Sequence, residues 1–128
     1  MKKAVCITLV IAMLTLFTCV HAEVNPQNYL GTWHGGPAYP NGAREYTLTL
    51  SRLAGGEIAV DLEVYRINSI HGSMEEYLDE NDEAILFMGN GDDQNLLALL
   101  TFYPGRMKLD IVEGNVYGLP EDTVIWFE

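Results

Sequence analysis

Between residues 94 and 113 the chain reads QNLLALLTFYPGRMKLDIVE, two arms on either side of Pro104 and Gly105. In the first arm Leu96, Ala98, Leu100 and Phe102 alternate with Leu97, Leu99, Thr101 and Tyr103. Both faces are largely apolar, which predicts a strand covered on both sides. Proline presets one turn dihedral and glycine tolerates the next, so a hairpin follows. The second arm puts Met107, Leu109 and Ile111 on one face and Lys108 and Asp110 on the other. One wet face and one dry face is the pattern of an antiparallel sheet laid against a core.

The same two-residue period recurs along the chain. Residues 29–36 (YLGTWHGG) form a short aromatic strand running into glycines, and 37–44 (PAYPNGAR) a loop or tight turn. In 45–53 Tyr46, Leu48 and Leu50 face one way and Thr47, Thr49 and Ser51 the other. After Gly55 and Gly56, Ile58, Val60, Leu62 and Val64 point in while Asp61 and Glu63 point out. The alternation changes parity at Tyr65 and Arg66, which predicts a bulge or strong bend that lets one strand serve two walls. Ser73 and Glu76 have capping-box spacing, so SMEEYLDEN (73–81) is expected to form one or two helical turns; an irregular connection containing a strand is the alternative. A short strand at 84–88, the glycine turn GNGDD (89–93), a small segment at Val116 and Tyr117, a loop at 118–122 and a closing strand at 123–127 complete the chain. The sum is a mainly β chain of seven or eight strands with at most one short helix. A small antiparallel β-barrel fits best, and a two-sheet sandwich is the alternative.

Lys2 and Lys3 precede an apolar run that ends at Val20, His21 and Ala22, the form of a secretory signal. The expectation is that residues 1–22 are removed, that 23–128 form one β domain, and that this domain is periplasmic or secreted with no membrane span remaining. A membrane anchor and lipidation at Cys19 are the other readings of the same run. Cleavage after Ala22 takes away Cys6 and Cys19, so packing must supply the stability that disulfides give many exported domains. It also lowers the basic count from 7 to 5 against 18 acidic residues, a net charge of −13. Such a surface repels nucleic acid and anionic lipid and would attract a basic protein or bind cations weakly; an exported domain simply kept soluble by its acid side chains is the equal alternative.

No reactive constellation stands out. His34 and His71 have no spacing that ties them to Ser51, Ser69 or Ser73 as a triad, or to a carboxylate as a zinc site. Paired carboxylates carry no information in so acidic a chain. Asp79, Asn81 and Glu83 alternate like hard-ion ligands, but the glycine and the distant glutamate of a calcium loop are missing. No cofactor, metal or catalytic residue is assigned, and the chain is expected to be a binding protein rather than an enzyme. Candidate partner-binding residues lie in three loops, 37–44, 72–81 and 89–93: Tyr39, Asn41, Ser73, Glu75, Glu76, Asp79, Asp92 and Asp93. Trp33, Tyr65 and Tyr117 are the candidates for lining an interior ligand site, with a packing role as the alternative for Trp33.

Two resemblances add to this. Tyr29, Leu30, Gly31, Thr32 and Trp33 look like the Gly-x-Trp opening of lipocalin-like barrels, in which the tryptophan packs across the closed end. The stretch LLALLTFYPGRMKLDIVEGNVYG is similar in rhythm to small periplasmic β-barrel proteins related to the lysozyme inhibitors. That resemblance implies a secreted acidic barrel that blocks a muramidase through exposed loops or a surface cleft, although this chain lacks the disulfide cysteines common there. The expected partner is a basic cell-wall hydrolase such as lysozyme; a lipocalin-like small-ligand barrel and a structural envelope protein are the alternatives. The sequence leaves the oligomeric state open.

Overall fold

The structure is a computed structural model that describes residues 24–75, 77–91 and 93–128. A 3₁₀ turn at Pro26–Tyr29 leads into eight strands: β1 (Gly31–Ala38), β2 (Arg44–Arg52), β3 (Ile58–Val64), β4 (Asn68–Met74), β5 (Glu83–Gly89), β6 (Asn95–Tyr103), β7 (Arg106–Gly114) and β8 (Val124–Phe127). Each pairs antiparallel with the next, and β8 returns to β1, so the sheet is a closed barrel and the sandwich alternative falls away. The signal segment expected at 1–22 lies outside the described residues.

Alternation explains the core. Leu48 and Leu50 of β2, Val60 and Leu62 of β3, Leu86 of β5, Leu100 of β6 and Leu109 of β7 are buried within the barrel, as are Ile125 and Phe127 of β8. An eight-stranded barrel has an interior just wide enough for side chains to fill it, and these rows fill it. Among the described residues no buried side-chain nitrogen or oxygen lacks a hydrogen-bond partner.

Several expectations need correction. The described residues of 73–81 include no helix: β4 runs to Met74, and the residues described after it are irregular. The inward row of β4 is Ile70, Gly72 and Met74, and the glycine hides its period. At Tyr65 and Arg66 the chain does bend sharply, but β3 stops at Val64 and the chain turns with Arg66 at φ 60°, so there is no bulge and no single strand serves two walls. Tyr29 belongs to the 3₁₀ turn rather than to a strand. β6 is not covered on both sides either; Leu97 and Leu99 face outward and are only half-buried.

Two seams hold the closure. β1 meets β8 at the pair Gly35 and Phe127, where His34 and Glu128 exchange backbone hydrogen bonds of 3.0 and 2.9 Å. β4 meets β5 at the pair His71 and Gly89. Both seams need glycine for close approach: a Cβ on Gly35 would lie 2.5 Å from the Trp126 carbonyl oxygen, and one on Gly72 would lie 2.7 Å from that of Phe87 and 2.8 Å from Met88 Cγ. The sheet closes through two backbones in contact.

Replacing Gly72 by alanine is therefore expected to cost about 1–3 kcal/mol, the usual range for overpacking. Ser73→Ala, at the exposed neighbouring position, should change stability by less than about 0.5 kcal/mol. Urea denaturation of the two variants checks this, and equal midpoints would remove the close-approach argument.

Candidate functional site

The interior is closed at both ends. At the end where β1 begins, the 3₁₀ turn acts as a plug. Asn25 caps it, its side chain accepting from the Gln27 N–H at 3.0 Å, and Pro26 is buried at its first position. The turn sets Tyr29 stacked on Trp33 at 5.7 Å and edge-on to Phe102 at 4.8 Å. Trp33 Nε1 donates to the Tyr29 carbonyl at 2.8 Å, and the Tyr29 hydroxyl donates to the Tyr103 carbonyl at 2.8 Å. Gly-x-Trp thus packs Trp33 against the core at the barrel mouth.

At the opposite end the β7–β8 connection folds over the core. Val116 and Leu119 pair there and are buried. Amide side chains bind this cap to its neighbours: Asn68 Nδ2 donates to Gln94 Oε1 at 2.8 Å, the Tyr117 N–H donates to the same oxygen at 3.0 Å, and the Asn95 N–H donates to Asn115 Oδ1 at 2.8 Å. The interior-site expectation fails for two of its three residues. Tyr117 is 73% exposed, and Tyr65 lies outside the core, its ring 5.0 Å from Tyr39. Trp33 is half-buried in the plug.

The three candidate loops divide between the ends. Tyr39 and Asn41 sit at the capped end with Asp93, and Asn41 Nδ2 donates to the Tyr65 hydroxyl at 2.8 Å. Loop 72–81 lies at the plugged end, with Ser73, Glu75 and Asp79 exposed. The structure therefore does not gather the eight candidates into one surface. Glu76 and Asp92 lie outside the described residues.

The plugged end carries two adjoining clefts. One cleft of about 830 Å³ is lined by Tyr29, Trp33, Asp82, Glu83 and Thr101, among others. A second, of about 400 Å³, shares Val24, Asn25 and Asp82 with it and adds Tyr77, Leu78 and Asp79. Tyr77 stands 78% exposed beside them. Asp79 Oδ1 accepts from the N–H groups of Asn81 and Glu83 at 2.8 and 3.0 Å, so this carboxylate shapes the turn. Asp82 supplies a left-handed residue, at φ 60°. Among the described residues no three His, Cys, Asp or Glu side chains are grouped as metal ligands, and no helix is long and apolar enough to cross a membrane. Reading the sequence missed the contribution of Asp82 and Glu83, because a turn residue and a strand's first residue have no period that marks a cleft.

Burial, with a smaller effect from the Asp82 carboxylate, raises the Tyr29 hydroxyl above its ordinary pKa of 10.0. A proton held more tightly in the folded state stabilises the fold below the unfolded pKa, and this contribution disappears as pH rises through the folded value. Burial, then Glu45 and Tyr39, shift Tyr46 the same way. The melting temperature should accordingly fall above about pH 10. Tyr29→Phe should cost about 1 kcal/mol at pH 7 through the lost hydrogen bond and flatten that alkaline decline. Melting curves of both proteins between pH 7 and 11 check this; parallel declines would contradict it. Compared with known protein families, with curated proteins and with solved structures, the chain has no match in any of the three.

Proposed function

We propose that this chain is a non-enzymatic, exported binding protein whose partner is a basic protein, with a lysozyme-type cell-wall hydrolase as the first candidate. The observation that carries this reading is the acidic turn beside the plugged-end clefts. Six of the 18 acidic residues fall within 75–83, and no lysine or arginine occurs between Ile67 and Gly105. Asp79, Asp82 and Glu83 border clefts whose remaining walls include Tyr29, Trp33 and Tyr77. Carboxylates beside aromatic faces suit an arginine or lysine side chain, which gains charge pairing and ring contact together. The field of an acidic domain would also speed encounter with a cationic enzyme. An interior ligand site is the weaker reading, because the barrel is occupied by its own side chains.

Titration calorimetry with a basic lysozyme at low salt tests the proposal, together with the enzyme's activity on cell wall. Binding should weaken as salt rises. The double change Asp79→Asn with Glu80→Gln should weaken binding about tenfold, or about 1.4 kcal/mol, while the amide introduced by the first change keeps an oxygen that can accept the turn's hydrogen bonds. Absence of binding to basic wall hydrolases at low salt would end the proposal.

A further inference from the structure

The outside of the barrel is uneven in chemistry. On β5, β6 and β7 the cross-strand layers read Glu83, Thr101, Lys108; then Ile85, Leu99, Asp110; then Phe87, Leu97, Glu113. Phe87 is 74% exposed and Ile85 61%, and Val112, at the bulge beside Glu113, is also exposed. Leucines 97 and 99 lie between these strands on the outer surface of β6. An apolar stripe of this kind on the wall of a small barrel marks a surface that another body covers.

The charges flanking the stripe identify that body. Arg106 and Lys108, two of the five basic residues beyond residue 22, sit on its β7 side. Arg106 lies over Trp126 at 4.2 Å, Lys108 lies 5.7 Å from the same ring, and both are thereby held on this sector. Lys108 Nζ also lies 3.6 Å from Asp110 Oδ2 on its own strand, and an ammonium with three donors can take a second carboxylate. Glu83 stands on the β5 side in the same layer as Lys108, with the acidic 75–82 connection before it. We infer that this face pairs with the same face of a second copy about a two-fold axis running along β6. That axis brings Leu97 and Leu99 against their own copies, sets Glu83 against the partner copy's Lys108 and Ile85 against its Asp110, and sets Phe87 against its Val112 and Glu113. An isologous surface must complement itself, and this one does so along the Leu97 and Leu99 row and in the layer of Glu83 and Lys108. The remaining surface is dominated by acid, so elsewhere two copies repel.

Sedimentation of the purified protein across a concentration series tests this. Wild-type protein should dimerise. Phe87→Asp should weaken the dimer at least tenfold, and so should Glu83→Lys or Lys108→Glu alone. The double variant Glu83→Lys with Lys108→Glu should recover affinity to within about threefold of wild type, because the pair is exchanged across the axis. Glu63→Lys, exposed on β3, should not weaken the dimer. Circular dichroism of each variant confirms folding, and the charge exchange remains decisive if Phe87→Asp fails that check. Wild-type protein that stays monomeric up to about 100 μM, well above the Kd of a standard-sized interface, overturns the inference. So does a double variant as weak as the single ones, or binding of neutral vesicles by a monomer.

Discussion

Closure of the sheet is the constraint on which the rest of this molecule depends. A meander of eight short strands has two edges, and each edge is a row of unpaired backbone groups that invites association with any other strand. Here the edges cancel, because β8 meets β1 at Gly35 with a Cβ's width removed from the contact. Gly72 plays the same part at the β4–β5 seam. Without those approaches the inward rows of β2, β3 and β6 would face an open trough instead of one another. Closure is what makes the Leu, Ile and Val rows into a core.

A barrel of this size leaves its chain little choice about where to bind anything. The inward positions are used up by packing, the Tyr29 and Trp33 plug occupies one mouth, and Val116 and Leu119 occupy the other. Specificity is left to the outer wall and the loop ends. There the turn around Asp79 and Asp82 gathers acid on the β5 side of the plugged end, while Arg106 and Lys108 are held by Trp126 on the β7 side of the same end.

Much of the fold was legible in the sequence, and the exceptions have physical causes. The β6–β7 hairpin was readable because Pro104 and Gly105 punctuate two clean alternating rows. β4 was not, because Gly72 stands where an apolar side chain would have completed the row from Ile70 to Met74, and the Ser73 to Glu76 spacing imitates a helix start. The change of parity at Tyr65 was visible, but a turn and a bulge give the same signal, and only Arg66 in a left-handed conformation separates them. The site was less legible than the fold. Tyr117 resembles a core aromatic in sequence, yet its backbone N–H is tied to Gln94 and its ring is left in solvent. Loops 37–44 and 72–81 look equivalent along the chain and lie at opposite ends of the barrel, a consequence of the number of strands between them.

The two proposed surfaces respond to salt in opposite directions, which follows from where their charges come from. Attraction of a cationic partner to the acidic end is a net opposite-sign interaction, and added salt screens it. Self-association of a chain at −11 is opposed at long range by like charge, so screening first relieves repulsion and lets the Phe87, Leu97 and Leu99 contact operate. Only the short Glu83 to Lys108 pairs work against that trend, and such exposed pairs each contribute about 0–1 kcal/mol. A two-fold axis along β6 also leaves both acidic ends on the same side of the dimer, meeting the dimer face at Glu83. A pair of copies would then offer a basic surface two acidic ends at once, raising the effective concentration of the second contact once the first has formed. Rising ionic strength would favour the dimer while weakening each acidic contact.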